Sequence, residues 1–70
     1  MKVVVIIEKG ADNNWGAYTP DMPVAVVGAS ETEAAELIRE AIDLYIADLR
    51  EKGLPMPIPA SALREIEISA

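Results

Sequence analysis

The chain has 70 residues and a formal net charge of −6, and it contains neither cysteine nor histidine. Disulfides are therefore excluded, and a zinc site would have to use carboxylates alone, which makes it improbable. A domain this short has a marginal core and usually depends on a disulfide, a metal or a partner subunit. Because the first two are missing, the composition favours an oligomer.

The acidic charge also bears on the partners of the chain. The six Lys and Arg side chains are scattered and form no basic stripe, so direct binding to nucleic acid is disfavoured. The simplest interpretation of the charge is solubility, and the alternative is that it steers the chain towards a basic partner.

Neither a signal peptide nor a membrane span is expected. The apolar run at the N-terminus is too short for a signal peptide and is followed at once by Glu8. No stretch approaches the roughly 20 apolar residues of a spanning helix. We therefore expect a single cytoplasmic domain over residues 1–70, with no membrane contact.

Three β-strands are predicted in the first 28 residues. Residues 3–7 are all Val or Ile, which is typical of a strand with two apolar faces. A turn over residues 10–14 should join it in a hairpin to a second strand at 15–19. A rigid turn over residues 20–23, containing two prolines, leads to a third apolar strand at 24–27, which Gly28 ends.

A helix is predicted over residues 31–51. Ser30 and Glu33 form a capping box at its start, and Gly53 suits the position just beyond its end. Apolar side chains recur at spacings of three and four and define one face. That face comprises Ala34, Ile38, Ala41, Ile42, Tyr45 and Leu49.

The segment beyond the helix is predicted to be extended throughout. Prolines at three alternate positions in residues 55–59 favour a polyproline-like connection. Residues 63–69 end in strict alternation of Ile with Glu, which predicts a half-buried strand with Ile66 and Ile68 inward. The expected order is β-β-β-α-β, an α+β fold whose mixed sheet carries one helix on one face.

One helix can cover only one face of this sheet, yet the first and third strands are apolar on both. The second face is therefore expected to pack against another copy, most commonly as a homodimer, or against a different protein. The alternative is that the apolar runs reflect only high β-propensity in a very small core.

The sequence offers little for catalysis. Without His or Cys, base-assisted nucleophile schemes are absent. Asp21 follows a proline and is interpreted as a turn former, and the glutamates at the helix start as caps or solvated charge. No glycine-rich phosphate loop is present. We expect no enzyme activity, no cofactor and no metal site.

The ordered set of turns and elements resembles the HicB antitoxin-like family. Its features are a hydrophobic first strand, an aromatic second strand, a Pro-Asp-x-Pro turn, a helix start of the Gly-x-Ser-x-x-Glu-Ala type and a proline-rich exit. The structural motif residues that carry the resemblance are Pro20, Asp21, Pro23, Gly28, Ser30, Glu33 and Ala34. Family members typically have Gly-Cys after the Pro-Asp-x-Pro turn, and this chain has Val24-Ala25, which indicates a divergent branch.

The resemblance implies a partial ribonuclease-H-like fold and an antitoxin role in a type II toxin–antitoxin pair. The implied partner is a small basic HicA-like toxin that cleaves mRNA. Full-length members often add a DNA-binding domain, and we expect this chain to be a short, single-domain member without one. The alternative function is a solitary homo-oligomeric module without a toxin partner. The residues that would contact a partner are not assigned by the sequence.

Overall fold

A computed structural model describes residues 1–69, in which a three-stranded antiparallel sheet is followed by one helix. The strands are β1 (Ile6–Lys9), β2 (Trp15–Tyr18) and β3 (Ala25–Gly28), in the spatial order β1-β2-β3. The helix, α1, spans Glu31–Glu51. The predicted α+β class and the β-β-β-α order are confirmed.

The first strand lies further along the chain than the apolar run predicts. Ile6 pairs with Tyr18 and Lys9 with Trp15, so the hairpin turn over residues 10–14 sets the register. Within that turn Gly10 donates a backbone hydrogen bond to the Asn14 carbonyl. Residues 3–5 lie before the paired region. β2 ends at Tyr18, opposite Ile6, and the chain then enters the proline turn, so no residue of β2 is left to pair with them.

The hydrophobic core lies between the sheet and α1. Ile7, Ala17 and Val26 are neighbours in the register, and all three face the helix. The buried apolar side chains are Ala17, Met22, Ala34, Ile38 and Ile42. The predicted helix face is confirmed at Ala34, Ile38 and Ile42, which are buried, and at Tyr45, which packs against them. Ile46 also packs against the core, whereas Ala41 and Leu49 are only half-buried. Burial of Met22 is not predicted by the sequence, since this residue lies between two prolines in a loop.

The start of α1 forms as its capping residues predict, with one difference. The Glu33 backbone N–H donates to Ser30 Oγ at 3.1 Å. The Glu33 side chain returns a bond at 2.9 Å, but it accepts from the N–H of Ala29 rather than from that of Ser30. The first bond satisfies an N–H group of the first helical turn and the second fixes the residue before the cap, so together they stabilise the start of α1.

Replacing Ser30 should therefore cost stability in a graded way. We expect Ser30→Ala to lower the free energy of unfolding by about 1 kcal/mol and Ser30→Gly by only a few tenths, because glycine tolerates the capping backbone geometry. Urea denaturation at one protein concentration measures both. Equal losses for the two variants would contradict a capping role for the hydroxyl.

At the other end, the helix closes on Gly53 as predicted. Gly53 has a φ of 66° and donates to the Arg50 carbonyl, and Leu54 donates to the Leu49 carbonyl. A left-handed residue at this position satisfies the last carbonyls of the helix and reverses the chain.

The predicted fourth strand is wrong for the chain as it stands. Residues 54–69 carry no strand or helix, and Ile66 and Ile68, predicted to point inward, are 72% and 75% exposed. Alternation of Ile with Glu creates a face able to be buried, but a strand also needs a neighbouring backbone to pair with. The structure gives this segment no such neighbour within residues 1–69.

Candidate functional site

The face of the sheet opposite α1 is open. Alternation along the paired strands places six residues there, which we call the outer sheet face: Ile6, Glu8, Gly16, Tyr18, Ala25 and Val27. Val27 is 67% exposed and Tyr18 40% exposed. The expectation that one helix leaves an apolar sheet face uncovered is confirmed.

A shallow depression marks the centre of the outer sheet face. It measures about 340 Å³, and Glu8, Gly16, Tyr18 and Ala25 are among the residues around it. Gly16 contributes no side chain, and a Cβ built there would approach only backbone oxygens, the nearest at 3.9 Å. Gly16 therefore leaves a recess between an aromatic ring and a carboxylate that a partner side chain could enter.

A second apolar surface lies beside β1. Since α1 packs mainly over β3 and β2, the core-facing side of the N-terminal segment is only partly covered. The result is a groove of about 440 Å³, which we call the edge groove. Its apolar lining comes from Met1, Val3, Val5, Ile7, Ala35, Ile38 and Ile42, with Arg39 and Asp43 as its charged residues.

Two hydrogen bonds attach the segment after the helix to Asp21 in the β2–β3 turn. Asp21 Oδ1 accepts a hydrogen bond from the Ala60 N–H at 3.2 Å and another from Ser61 Oγ at 2.9 Å. The sequence assigned Asp21 to its own turn, but its side chain instead joins two segments about 40 residues apart. Local support for the turn comes from Thr19, whose Oγ1 accepts from the Asp21 N–H at 3.4 Å.

Beyond that attachment the chain extends away from the body. Residues 62–69 are exposed throughout, including Leu63, Ile66 and Ile68. The radius of gyration is 14.1 Å, whereas a compact domain of this length has about 11 Å. Three large aliphatic side chains exposed on one short segment are characteristic of a surface that binds another chain.

The family-motif residues position the fold and lie outside the outer sheet face. Pro20, Asp21 and Pro23 form the β2–β3 turn, while Gly28, Ser30, Glu33 and Ala34 form the strand-to-helix junction. At that junction a Cβ on Gly28 would lie 2.7 Å from the Ala34 backbone nitrogen. Gly28 thus allows α1 to approach the sheet closely.

These surfaces are largely apolar. Across residues 1–69, Asp and Glu side chains do not gather in groups of three or more that could hold a metal ion. The same residues contain no helix with both the length and the apolar character needed to cross a membrane. What the described chain offers is two apolar surfaces and an exposed apolar segment.

These features define the chain as a small α+β domain with an open sheet face. Comparison with protein-family models, with curated proteins and with solved structures gives no match for it.

Proposed function

We propose that this chain is a non-enzymatic, HicB-like antitoxin domain that acts in the cytoplasm. In this proposal it binds a small basic mRNA-cleaving toxin of the HicA-like type and neutralises it by covering its RNA-binding surface. The observation that carries the proposal is the outer sheet face, an uncovered apolar surface on a strongly acidic chain.

Charge favours a basic occupant for that face. At a net charge of −6, the chain attracts a basic protein over long range. Glu8 lies on the outer sheet face itself and would meet a basic side chain there. Such complementarity speeds association and weakens as salt screens it.

The apolar part of the face would supply the affinity. Binding energy at protein interfaces concentrates in a few central side chains, and tyrosine is among the residues enriched there. Tyr18 stands next to the recess above Gly16, with Val27 in the neighbouring strand. An aliphatic or arginine side chain of the partner would fill the recess and stack beside the tyrosine ring.

The family motif supports the same proposal. The turn over residues 20–23 and the junction over residues 28–34 follow one another in the order that the resemblance describes, and Ser30 Oγ caps α1. These residues support the fold, so they bear on the class of domain and not on the identity of its partner.

The test is a low-salt pull-down with the tagged chain from its native cells, with intact-mass analysis of what binds stoichiometrically. We expect a small basic protein that is released at high salt. Once purified, it should cleave mRNA, and one equivalent of this chain should inhibit the cleavage. Absence of such a protein, or cleavage unaffected by the chain, would overturn the proposal.

A variant of the recess localises the binding. Gly16→Leu places a side chain in the recess, and its Cβ meets no atom of the chain closer than 3.9 Å. We expect it to weaken toxin binding by about tenfold or more, because the partner side chain can no longer enter. Leu44→Ser, at an exposed position of α1, is the matched control and should leave binding unchanged. Calorimetric titration with the purified toxin compares them. Equal affinities would place the interface elsewhere.

A further inference from the structure

The free edge of β1 lacks a partner strand within the described chain. β1 pairs with β2 on one side only, so its other side presents unpaired backbone N–H and C=O groups. Residues 2–5 continue the chain ahead of β1 and carry Val3 and Val5 into the edge groove. Natural proteins seldom leave an edge of this kind open beside an apolar groove.

The same chain displays a segment that matches this edge. Residues 65–68 alternate glutamate with isoleucine, which is the pattern of a strand with one face buried. Ile66 and Ile68 fall on one face of such a strand, and Glu65 and Glu67 on the other. Seven residues in a strand span about 23 Å, and residues 2–9 span about 26 Å, so the two segments are of similar length.

The position of the segment favours a second copy as its acceptor. The prolines of residues 55–59 stiffen the connection, and the bonds from Ala60 and Ser61 to Asp21 hold its end at the β2–β3 turn. Residues 62–69 beyond that point are exposed throughout and form no strand with β1 of the same chain. A segment that is unpaired within its own chain is available to another molecule.

We propose that residues 63–69 of one copy add as a strand to the free edge of β1 in a second copy, and that the exchange is reciprocal. Ile66 and Ile68 then enter the edge groove against Val3, Val5 and Ile42 of the acceptor. Backbone hydrogen bonds satisfy the open edge, as in other cases of strand addition. The result is a four-stranded sheet in each half of a symmetric dimer.

This exchange uses a surface different from the outer sheet face. It therefore stands or falls independently of the toxin proposal, and it leaves the outer sheet face of both copies free. It also supplies the stabilisation that a 70-residue chain without disulfides otherwise lacks.

The first test is the molar mass of the full chain by light scattering over a range of concentrations. We expect about 15 kDa, twice the 7.5 kDa of one chain. The double variant Ile66→Asp/Ile68→Asp should raise the dimer dissociation constant by about 100-fold or more, because both side chains leave an apolar site. Glu65→Gln/Glu67→Gln, on the opposite face of the same segment, is the matched control and should remain dimeric.

The second test uses the unaltered chain and so does not depend on a variant folding. Copies labelled with ¹³C are mixed with unlabelled copies, refolded together, and examined for nuclear Overhauser effects between labelled and unlabelled molecules. Contacts between the methyl groups of Ile66 or Ile68 in one copy and Val3 or Val5 in the other are expected. A monomer, contacts confined to one chain, or a dimer insensitive to the Asp substitutions would overturn the exchange.

Discussion

Ile38→Ala is expected to lower the free energy of unfolding by about 2–5 kcal/mol, the usual cost of truncating a buried aliphatic side chain. Ile38 is 2% exposed and lies in the first half of α1, in the core against the sheet. A domain of this length has a total stability of roughly 3–10 kcal/mol, so the loss would unfold much of the population. Chemical denaturation followed by circular dichroism measures it.

Leu44→Ala is the control for that prediction. It makes a similar truncation in the same helix, but Leu44 is 71% exposed, so a change within about 0.5 kcal/mol is expected. Both proteins should be compared at one concentration, because association would stabilise the folded state by mass action. Similar losses for the two variants would contradict a core between α1 and the sheet.

Gly28→Ala is expected to cost about 1–3 kcal/mol through overpacking. The added Cβ would lie 2.7 Å from the Ala34 nitrogen and 3.1 Å from its Cα. Both are backbone atoms of the first helical turn, so they cannot move aside as a flexible side chain would. The helix would have to shift away from β3, and Ala34 and Ile38 would lose contact with the sheet.

Gly16→Ala separates this clash from a general effect of filling a strand glycine. Its Cβ would meet nothing closer than 3.9 Å. Alanine also has fewer backbone conformations than glycine in the unfolded chain, so less entropy is lost on folding. We expect unchanged or slightly higher stability by thermal denaturation. If both glycine variants lost the same stability, the close approach at Gly28 would not be the cause.

Of the two candidate surfaces, the sequence predicted one in outline and missed the other. Because one helix covers only one face of a sheet, and the first and third predicted strands are apolar on both faces, the sequence indicated an uncovered sheet face. The recess at Gly16 and the edge groove depend on pair register and on where α1 lies across the sheet, which periodicity does not specify. The alternation of Val3, Val5 and Ile7 is the only sequence signal that points to the groove.

The sequence by itself determined the parts of this protein that depend on neighbours within a few residues. The helix over Glu31–Glu51, its cap at Ser30 and its end at Gly53 follow from spacing, capping chemistry and backbone freedom. The order of three strands follows from apolar runs separated by turns.

Tertiary structure decided the features that require distant segments to meet. The turn register moved β1 to Ile6–Lys9, packing buried Met22, and Asp21 bonded to Ala60 and Ser61. The pattern in residues 63–69 specifies which side chains could share a buried face. Whether a strand forms there depends on a partner backbone, because strand hydrogen bonds, unlike those of a helix, join residues far apart in sequence or in different molecules.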